Sequence, residues 1–594
     1  MADIKPVKSK LTLSFIVFLI FLLFTCGVGV WQVSQHVKLP GLNSREHVEI
    51  SIIYAPESEL YLKEAIEAFN TSYEDGIHPV TGEKLDSEAK GIRVVGESGS
   101  SGTIRSYIVN AVNGLNTDQV AKPTIFAPSV SHWLRLVNYE TGKEVFTLDE
   151  AQATANAPVV IAIWESRLNL IKAKNPGKEI GWEELIQVLR SENGWADYSS
   201  NIKRKKVYYG HTDPAVSSTA LSTLISEYFA SAKYISKNKD LEQLTIADVK
   251  NKEIEKGVNE IEKLIKHYSS RTTEFKEYIA QGPDYLDFVA LEENDLIYIN
   301  QGKTEYKPPE KLVALYPKEG TFIHEHPFAI PNADWVSEEQ REAAEVFTDY
   351  VLSDEVQRKV LENGFRPASE SVAIALPISA EYGVDPAQPR VVLNAPTPEV
   401  ISTVQLNWNF VKKKSEVYML VDTSGSMDGE KIQNAREALR LFVEKLPAEN
   451  RVGLVTFSET AETSIQMEPL ESNKEKITSG VSELYPSGTT ALYDGLLQSI
   501  KNIEQQENKD DVIRAILLLS DGKDTASKAT LGDVVEKLQA SQTSDTPILV
   551  IPIAYGGDAD ISALNAIARA SSTRVQTGET DDIDKLLEVV SSYF

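Results

Sequence analysis

Three observations predict an α/β chain made of an N-terminal membrane helix, a long α/β unit and a doubly wound, Rossmann-like C-terminal sheet. The segment LTLSFIVFLIFLLFTCGVGVWQVSQ runs 25 residues without a charge. From residue 48 to about 385, short apolar runs alternate with amphipathic helical patterns, the signature of parallel sheets covered by helices. From residue 415 the strands become solid runs of Val, Ile and Leu, as strands buried on both faces must be.

A chain of 594 residues exceeds what one hydrophobic core holds, so two or three domains are expected. With 42% hydrophobic and 25% charged residues it reads as ordinary globular protein. Its formal net charge of −27 argues against nucleic acid and anionic membrane surfaces, which attract basic patches. Cys26 is the only cysteine, which excludes an intramolecular disulfide framework and any cysteine-based zinc site.

Residues 1–10 carry Lys5, Lys8 and Lys10 against Asp3, and a bilayer core needs about 20 apolar helical residues. The expectation is therefore a cytoplasmic tail at 1–10, a single-pass anchor at 11–35 in the cell membrane, and an extracytoplasmic remainder. Cleavage and lipidation of Cys26 are the alternatives. No A-x-A cleavage site precedes Gln32, and Phe24 and Thr25 are bulky for a lipoprotein site.

In the long unit, VEISIIYAP (48–56) reads as a strand and SELYLKEAIEAFNTSY as a helix with Leu60, Ala65, Ile66 and Phe69 on one stripe. GIRVVGESGSSGTIRSYIVNAV (91–112) repeats strand, loop and helix. A strand end follows at 123–129, a strand at 157–164, a helix over 252–268 (Ile254, Val258, Ile261, Ile265, Tyr268) and a strand at 288–294. Two loops are chemical candidates. Ser98, Ser100, Ser101 and Thr103 lie at a helix start, where free N–H groups favour an anion. Asp213, Ser217, Ser218 and Thr219 sit at another. Ordinary helix capping explains these hydroxyls equally well, and Asp213 disfavours an anion. His324 and His326 would share a strand face as a metal pair does, but without a third ligand they read as structural.

ESGSSGT, APVVIAIW, HTDPAVSSTALSTL, GPDYLDFVALEEN and the stretch 316–357 together resemble the type II solute-binding proteins over almost all of 48–370, within a unit expected at 48–383. The resemblance implies two lobes that close on a small solute or oxyanion by hinge motion.

VDPAQPRVVLNAPTPEV holds four prolines, so 384–414 is expected to be a semi-rigid linker. In 415–594, strand VYMLV precedes helix KIQNAREALRLFVEKL. Strand VGLVTF, loop SGTT and helix ALYDGLLQSIKNI follow, then strand IRAILLLSDG, helix LGDVVEKLQA, strand ILVIPIAYG and helices ISALNAIARA and DDIDKLLEVVSSY. In a doubly wound sheet the site lies beyond the carboxyl ends of the strands. Asp422, Ser424 and Ser426, then Thr489, then Asp521 all fall at that edge, and hard divalent cations take oxygen ligands. DTSGS, SGTT and SDG, in that order, resemble the von Willebrand factor A domain with its metal-ion-dependent adhesion site. The resemblance implies that these residues ligate Mg2+ (or Mn2+ or Ca2+), Asp521 directly or through water, and that an acidic residue of a protein partner is engaged there. The choice of Thr489 over Thr490 leaves a register of one residue open.

No nucleophile with a flanking base, phosphate loop, HExxH or zinc pattern occurs, and 415–594 contains no histidine. The expectation is a binding protein rather than an enzyme. The alternative is a transport accessory that captures a small oxyanion.

Overall fold

The computed structural model describes residues 46–115, 119–202, 207–236, 241–263, 265–269, 272–506, 512–542, 546–556, 559–571, 573, 575–578, 583, 587, 590 and 591. The predicted N-terminal membrane helix needs correction. Among the described residues no helix is long and apolar enough to cross a membrane, and the segment 11–35 itself lies outside them.

The first unit has two lobes. In one, His47–Tyr54 pairs in parallel with Gly91–Ser98 on one side and Ile125–Ala127 on the other. Helix Glu59–Glu74 lays Leu62, Ala65, Ile66 and Phe69 on that sheet, one apolar residue every three or four. Phe69 meets Phe347 of helix Glu338–Val351 edge to face at 5.0 Å, so a late segment completes the early lobe. The other lobe is built on Ala155–Trp164, which is antiparallel to Phe288–Glu292 and Leu312–Leu315. Tyr209–Thr212 and Ile265–Ser269 extend that sheet in parallel. Arg366–Pro367 returns to pair with Ala155–Asn156, so the lobes are tied where the chain crosses between them.

The helix expected over 252–268 divides. It ends at Glu262, and Ile265–Ser269 is a strand beside Tyr209–Thr212. Ile265 and Tyr268 continue the helical spacing by coincidence. A short apolar run is ambiguous by periodicity, and sheet pairing decides it.

The expected linker also changes. Only its first part lacks regular structure, and Pro398–Val411 is a helix entered through Pro398 in the first turn, where a missing N–H costs nothing. Val400, Ile401, Val404, Trp408 and Val411 are buried against the helices His132–Thr141, Ile246–Val249 and Lys252–Glu262. Polar groups fix it further: Asn259 Nδ2 donates to Val411 O (2.8 Å) and Asn407 Nδ2 to Val249 O (3.0 Å). This connector helix therefore belongs to the first unit, and only two residues separate it from the next strand.

The C-terminal unit is a six-stranded sheet in the order Ala461–Pro469, Arg451–Phe457, Lys414–Asp422, Val512–Ser520, Ile548–Tyr555, Gln576–Gly578. All pairings are parallel except the first. The edge strand Ala461–Pro469 and helix Leu470–Ser482 were not anticipated. The strand is mostly polar and only half covered, which hides it from a search for apolar runs. The final helix expected from 581 falls largely outside the described residues.

Candidate metal centre

The strand Lys414–Asp422 is buried nearly throughout and ends with its last carboxylate at the sheet rim. Asp422 Oδ1 accepts the N–H of Ser424 at 2.8 Å, a local turn that brings the serine side chain back over the strand end. Asp422 Oδ2 accepts the hydroxyl of Ser520, the last residue of the neighbouring strand, at 2.7 Å. Ser424 Oγ and Ser426 Oγ lie 2.9 Å apart, and Ser426 Oγ donates to Asp521 Oδ1 at 2.7 Å. Two of the segments expected to converge are thus joined by direct hydrogen bonds.

The third segment is pinned by its backbone. Gly425 N donates to Gly488 O (3.0 Å) and Ser487 N to Thr423 O (2.8 Å). Gly488 has φ +74°, a conformation that favours glycine. The loop presents Thr490, which is buried, whereas Thr489 is exposed. A methyl group placed on Gly522 would lie 3.7 Å from Ser426 Oγ and 3.9 Å from Thr490 Oγ1. Those two hydroxyls therefore flank one space beside Asp521, and Thr490 is the threonine of the rim.

The donor set is all oxygen, which fits a hard divalent cation. Asp422 and Asp521 are both fully buried. Burial pushes the Asp422 carboxyl above its ordinary range, and the charge of Asp521 adds to this, against hydrogen bonds from Ser424 and Ser520. One cation is already at hand: Lys431 Nζ sits 2.5 Å from Asp521 Oδ2. Ser520 and Lys431 escaped the sequence reading. The only signal for Ser520 was its place at the end of the strand beside Asp422, and none marked Lys431.

The two candidate loops of the first unit meet across the cleft. Gly102 N donates to Val216 O at 3.1 Å, and a side chain on Gly102 would run into Ala215 O. Ser100 makes no capping bond with its side chain, and Ser98 is exposed. Ser101 Oγ accepts from Ser129 N at 3.3 Å, and Thr103 is half-buried. On the other side Asp213 accepts from Ala215 N (2.7 Å), Ser217 Oγ from Ala220 N (3.2 Å) and Ser218 Oγ from Trp133 Nε1 (2.8 Å). Asp213 and Ser217 thus serve the turn and the helix start, while Ser218 binds the Trp133 indole and Ser101 the N–H of Ser129 in its own lobe. Thr219 is buried in the first turn.

The sequence reading passed over the carboxylates of this region. Glu57 is buried, 3.5 Å from Ser129 Oγ, and burial together with Glu292 pushes its pKa up to about 7. Glu292 is gripped by both histidines, His324 Nδ1 at 2.7 Å and His326 Nε2 at 3.1 Å. Burial opposes its charge, but the imidazoles hold it down at about 2. Ser58 and Ser222 occupy the remaining ring nitrogens at 2.9 Å each. All four ring nitrogens of the histidine pair are thus engaged within the protein.

Comparison with known proteins matches residues 51–366, more than half of the chain, to the family model "Bacterial extracellular solute-binding protein". The chain belongs to that family. This solute-binding family member also carries a von Willebrand factor type A domain at 416–589. Among curated relatives, inter-alpha-trypsin inhibitor heavy chain H4 of Sus scrofa is 27% identical over 166 residues, 27% of this chain and 18% of the relative. An uncharacterised protein of Mycobacterium tuberculosis is 23% identical over 287 residues, 46% of this chain and 41% of its own length. The chain thus spans well under half of these curated relatives. Among solved structures, a von Willebrand factor type A protein from Catenulispora acidiphila aligns over 31% of this chain and 43% of its own, with 22% identity and a TM-score of 0.27. Proximal thread matrix protein 1 from the mussel byssus, solved with a zinc-occupied MIDAS motif, covers 34% of this chain and 53% of its own at 19% identity and a TM-score of 0.26.

Proposed function

We propose that this is an extracytoplasmic binding protein whose C-terminal domain engages an acidic group of a protein partner at a divalent-metal site. The observation that supports it most is the hydrogen-bonded chain from Asp422 through Ser424 and Ser426 to Asp521, with Thr490 beside it. Asp422, Ser424, Ser426 and Thr490 would hold Mg2+ or Mn2+, with Asp521 direct or through water. The ion supplies a positive centre for a carboxylate that an acidic protein surface otherwise repels. The chain's own work is to preorganise the oxygens. Ser520 orients Asp422, the Ser424 N–H turns the loop, and Gly488 anchors the threonine segment. Capture of partners from an envelope extract on the immobilised full chain tests this. Retention in Mg2+ that is lost with a chelator and in Asp422→Ala is expected, and retention indifferent to both contradicts the reading.

A second role, solute capture between the lobes, rests on family membership. Glu57 meets Ser129, whose N–H is held by Ser101, and no lysine or arginine stands in either candidate loop from 98 to 103 or 213 to 219. This lining suits a neutral or cationic solute better than an oxyanion. Tryptophan fluorescence titrated with sulfate, molybdate, amino acids and polyamines discriminates. A response to the latter two is expected, and one confined to the oxyanions contradicts the assignment.

A further inference from the structure

A second cluster of metal-ligating side chains lies far from the sheet rim, in the interior of the first unit. His211 leaves the strand Tyr209–Thr212, Glu227 projects from helix Ser218–Ser236, and Glu262 ends helix Lys252–Glu262. One ring nitrogen of His211 and one oxygen from each glutamate lie within 4.8 Å of one another. His211 is 2% exposed and the glutamates 0%. His211 Nε2 has no hydrogen-bond partner, and Glu227 Oε2 and Glu262 Oε1 have none but each other. Buried polar atoms are seldom left so, and three that converge call for a proton or a cation between them.

Their other atoms are all engaged, so the free ones are aimed. His211 Nδ1 lies 2.6 Å from Thr212 O, a group that only accepts, so Nδ1 carries the proton and Nε2 the lone pair. Tyr209 donates to Glu227 Oε1 at 3.1 Å, and Tyr268 donates to Glu262 Oε2 at 3.0 Å. Tyr268 itself accepts the N–H of Lys413 at 2.8 Å. A carbonyl behind the imidazole and a hydroxyl behind each carboxylate is the outer arrangement that metal ligands receive. Among the described residues no ion pair neutralises either glutamate; burial pushes both carboxyls up, and the charge of Glu227 pushes Glu262 further, so a bound cation would take the place of a shared proton.

We propose that His211, Glu227 and Glu262 form a closed site for a borderline divalent cation, Zn2+ or Mn2+, distinct from the all-oxygen site at the sheet rim. One nitrogen and two carboxylate oxygens suit such an ion better than Mg2+. The ligand atoms lie within 4.8 Å of one another, and metal–ligand distances of about 2.0–2.2 Å place such atoms roughly 3.3 Å apart, so the three groups would draw together on binding. The second oxygen of a carboxylate or a water completes the set. The site also has a mechanical place. His211 stacks on Trp408 of the connector helix at 5.3 Å and 29°, and Tyr268 meets the same indole edge to face at 5.3 Å. A bound ion would cross-link strand and helices under the seat of the helix that leads to the C-terminal domain.

The test uses the full chain carrying Asp422→Ala, which silences the rim site. Protein stripped with chelator is exposed to Zn2+, desalted and assayed by elemental analysis, with Mn2+ in parallel. About one equivalent retained and a Tm rise of several degrees are expected. Glu262→Gln in the same background should lose both, and His211→Gln serves if that variant does not fold. Retention below about a tenth of an equivalent overturns the site. So does undiminished retention in a folded Glu262→Gln or His211→Gln protein. A Glu262→Gln protein that is more stable than its parent and indifferent to metal would assign the pair to a shared proton instead, which also overturns it.

Discussion

Lys431 is the residue that most alters the electrostatics of the rim, because its ammonium already answers one oxygen of Asp521. An ion arriving there meets one compensated carboxylate and one, Asp422, that is buried and held by hydroxyl and amide donors alone. Thr490 matters for a different reason: its hydroxyl is neutral, so it supplies a ligand without adding charge. In the cleft, Glu57 carries a pH dependence whose sign follows from its environment. Its pKa rises from 4.5 unfolded to about 7 folded, so the folded chain holds the proton more tightly. The contribution is full below about pH 4.5 and is lost as pH rises through 7. By linkage this is worth roughly 3 kcal/mol. Glu57→Gln should therefore raise Tm at pH 8 and leave it nearly unchanged at pH 4.5. Thermal melts across that range check it, and an equal gain at both pH values would contradict the assignment.

Among the elements, the two facing loops are held at closest approach by one glycine. Gly102 lets the backbone of the first helix start touch Ala215 and Val216 across the cleft, where a Cβ would fall 2.0 Å from a carbonyl oxygen. Backbone cannot yield as a flexible side chain can, so Gly102→Ala should force the lobes apart. Small-angle scattering should show a larger radius of gyration for this variant, and an unchanged profile would mean that the loops part without moving the lobes. How legible each element was depended on its pattern. The solid apolar strands 417–421 and 515–519 and the loops that follow them were plain in the sequence, because burial on both faces leaves no alternation. Ala461–Pro469 was not, since an edge strand needs little apolar surface. Pro398–Val411 was misread because its prolines suggested a linker, whereas one of them starts a helix. Ile265–Ser269 was misread because pairing partners more than fifty residues away decide its state.

For the whole molecule, the connection between units changes the functional expectation. The connector helix is packed on the first unit and enters the central strand of the second after Lys412 and Lys413. Lys413 bonds back to Tyr268 and, through Nζ, to Ile265 O at 2.9 Å. A crevice of about 210 Å3 lined by Tyr278, Gln281 and Tyr306 on one side and Asn565, Arg569 and Thr573 on the other shows the units lying against each other. The rim residues Asp422, Ser424, Ser426 and Asp521 were legible because a fixed order of oxygen-bearing residues follows two neighbouring apolar strands. The His211, Glu227 and Glu262 cluster was not, because its spacing follows no local motif and only tertiary packing assembles it.

The central claim is that three chain segments meet at one sheet rim to hold a divalent ion. Calorimetric titration of the chelator-treated full chain with Mg2+, beside Asp422→Ala and Thr490→Val, tests it most directly. One site in the parent that is absent in Asp422→Ala and weakened about tenfold or more in Thr490→Val is the predicted result. A parent that takes up no metal at millimolar concentration, or an Asp422→Ala protein that binds as the parent does, would contradict it.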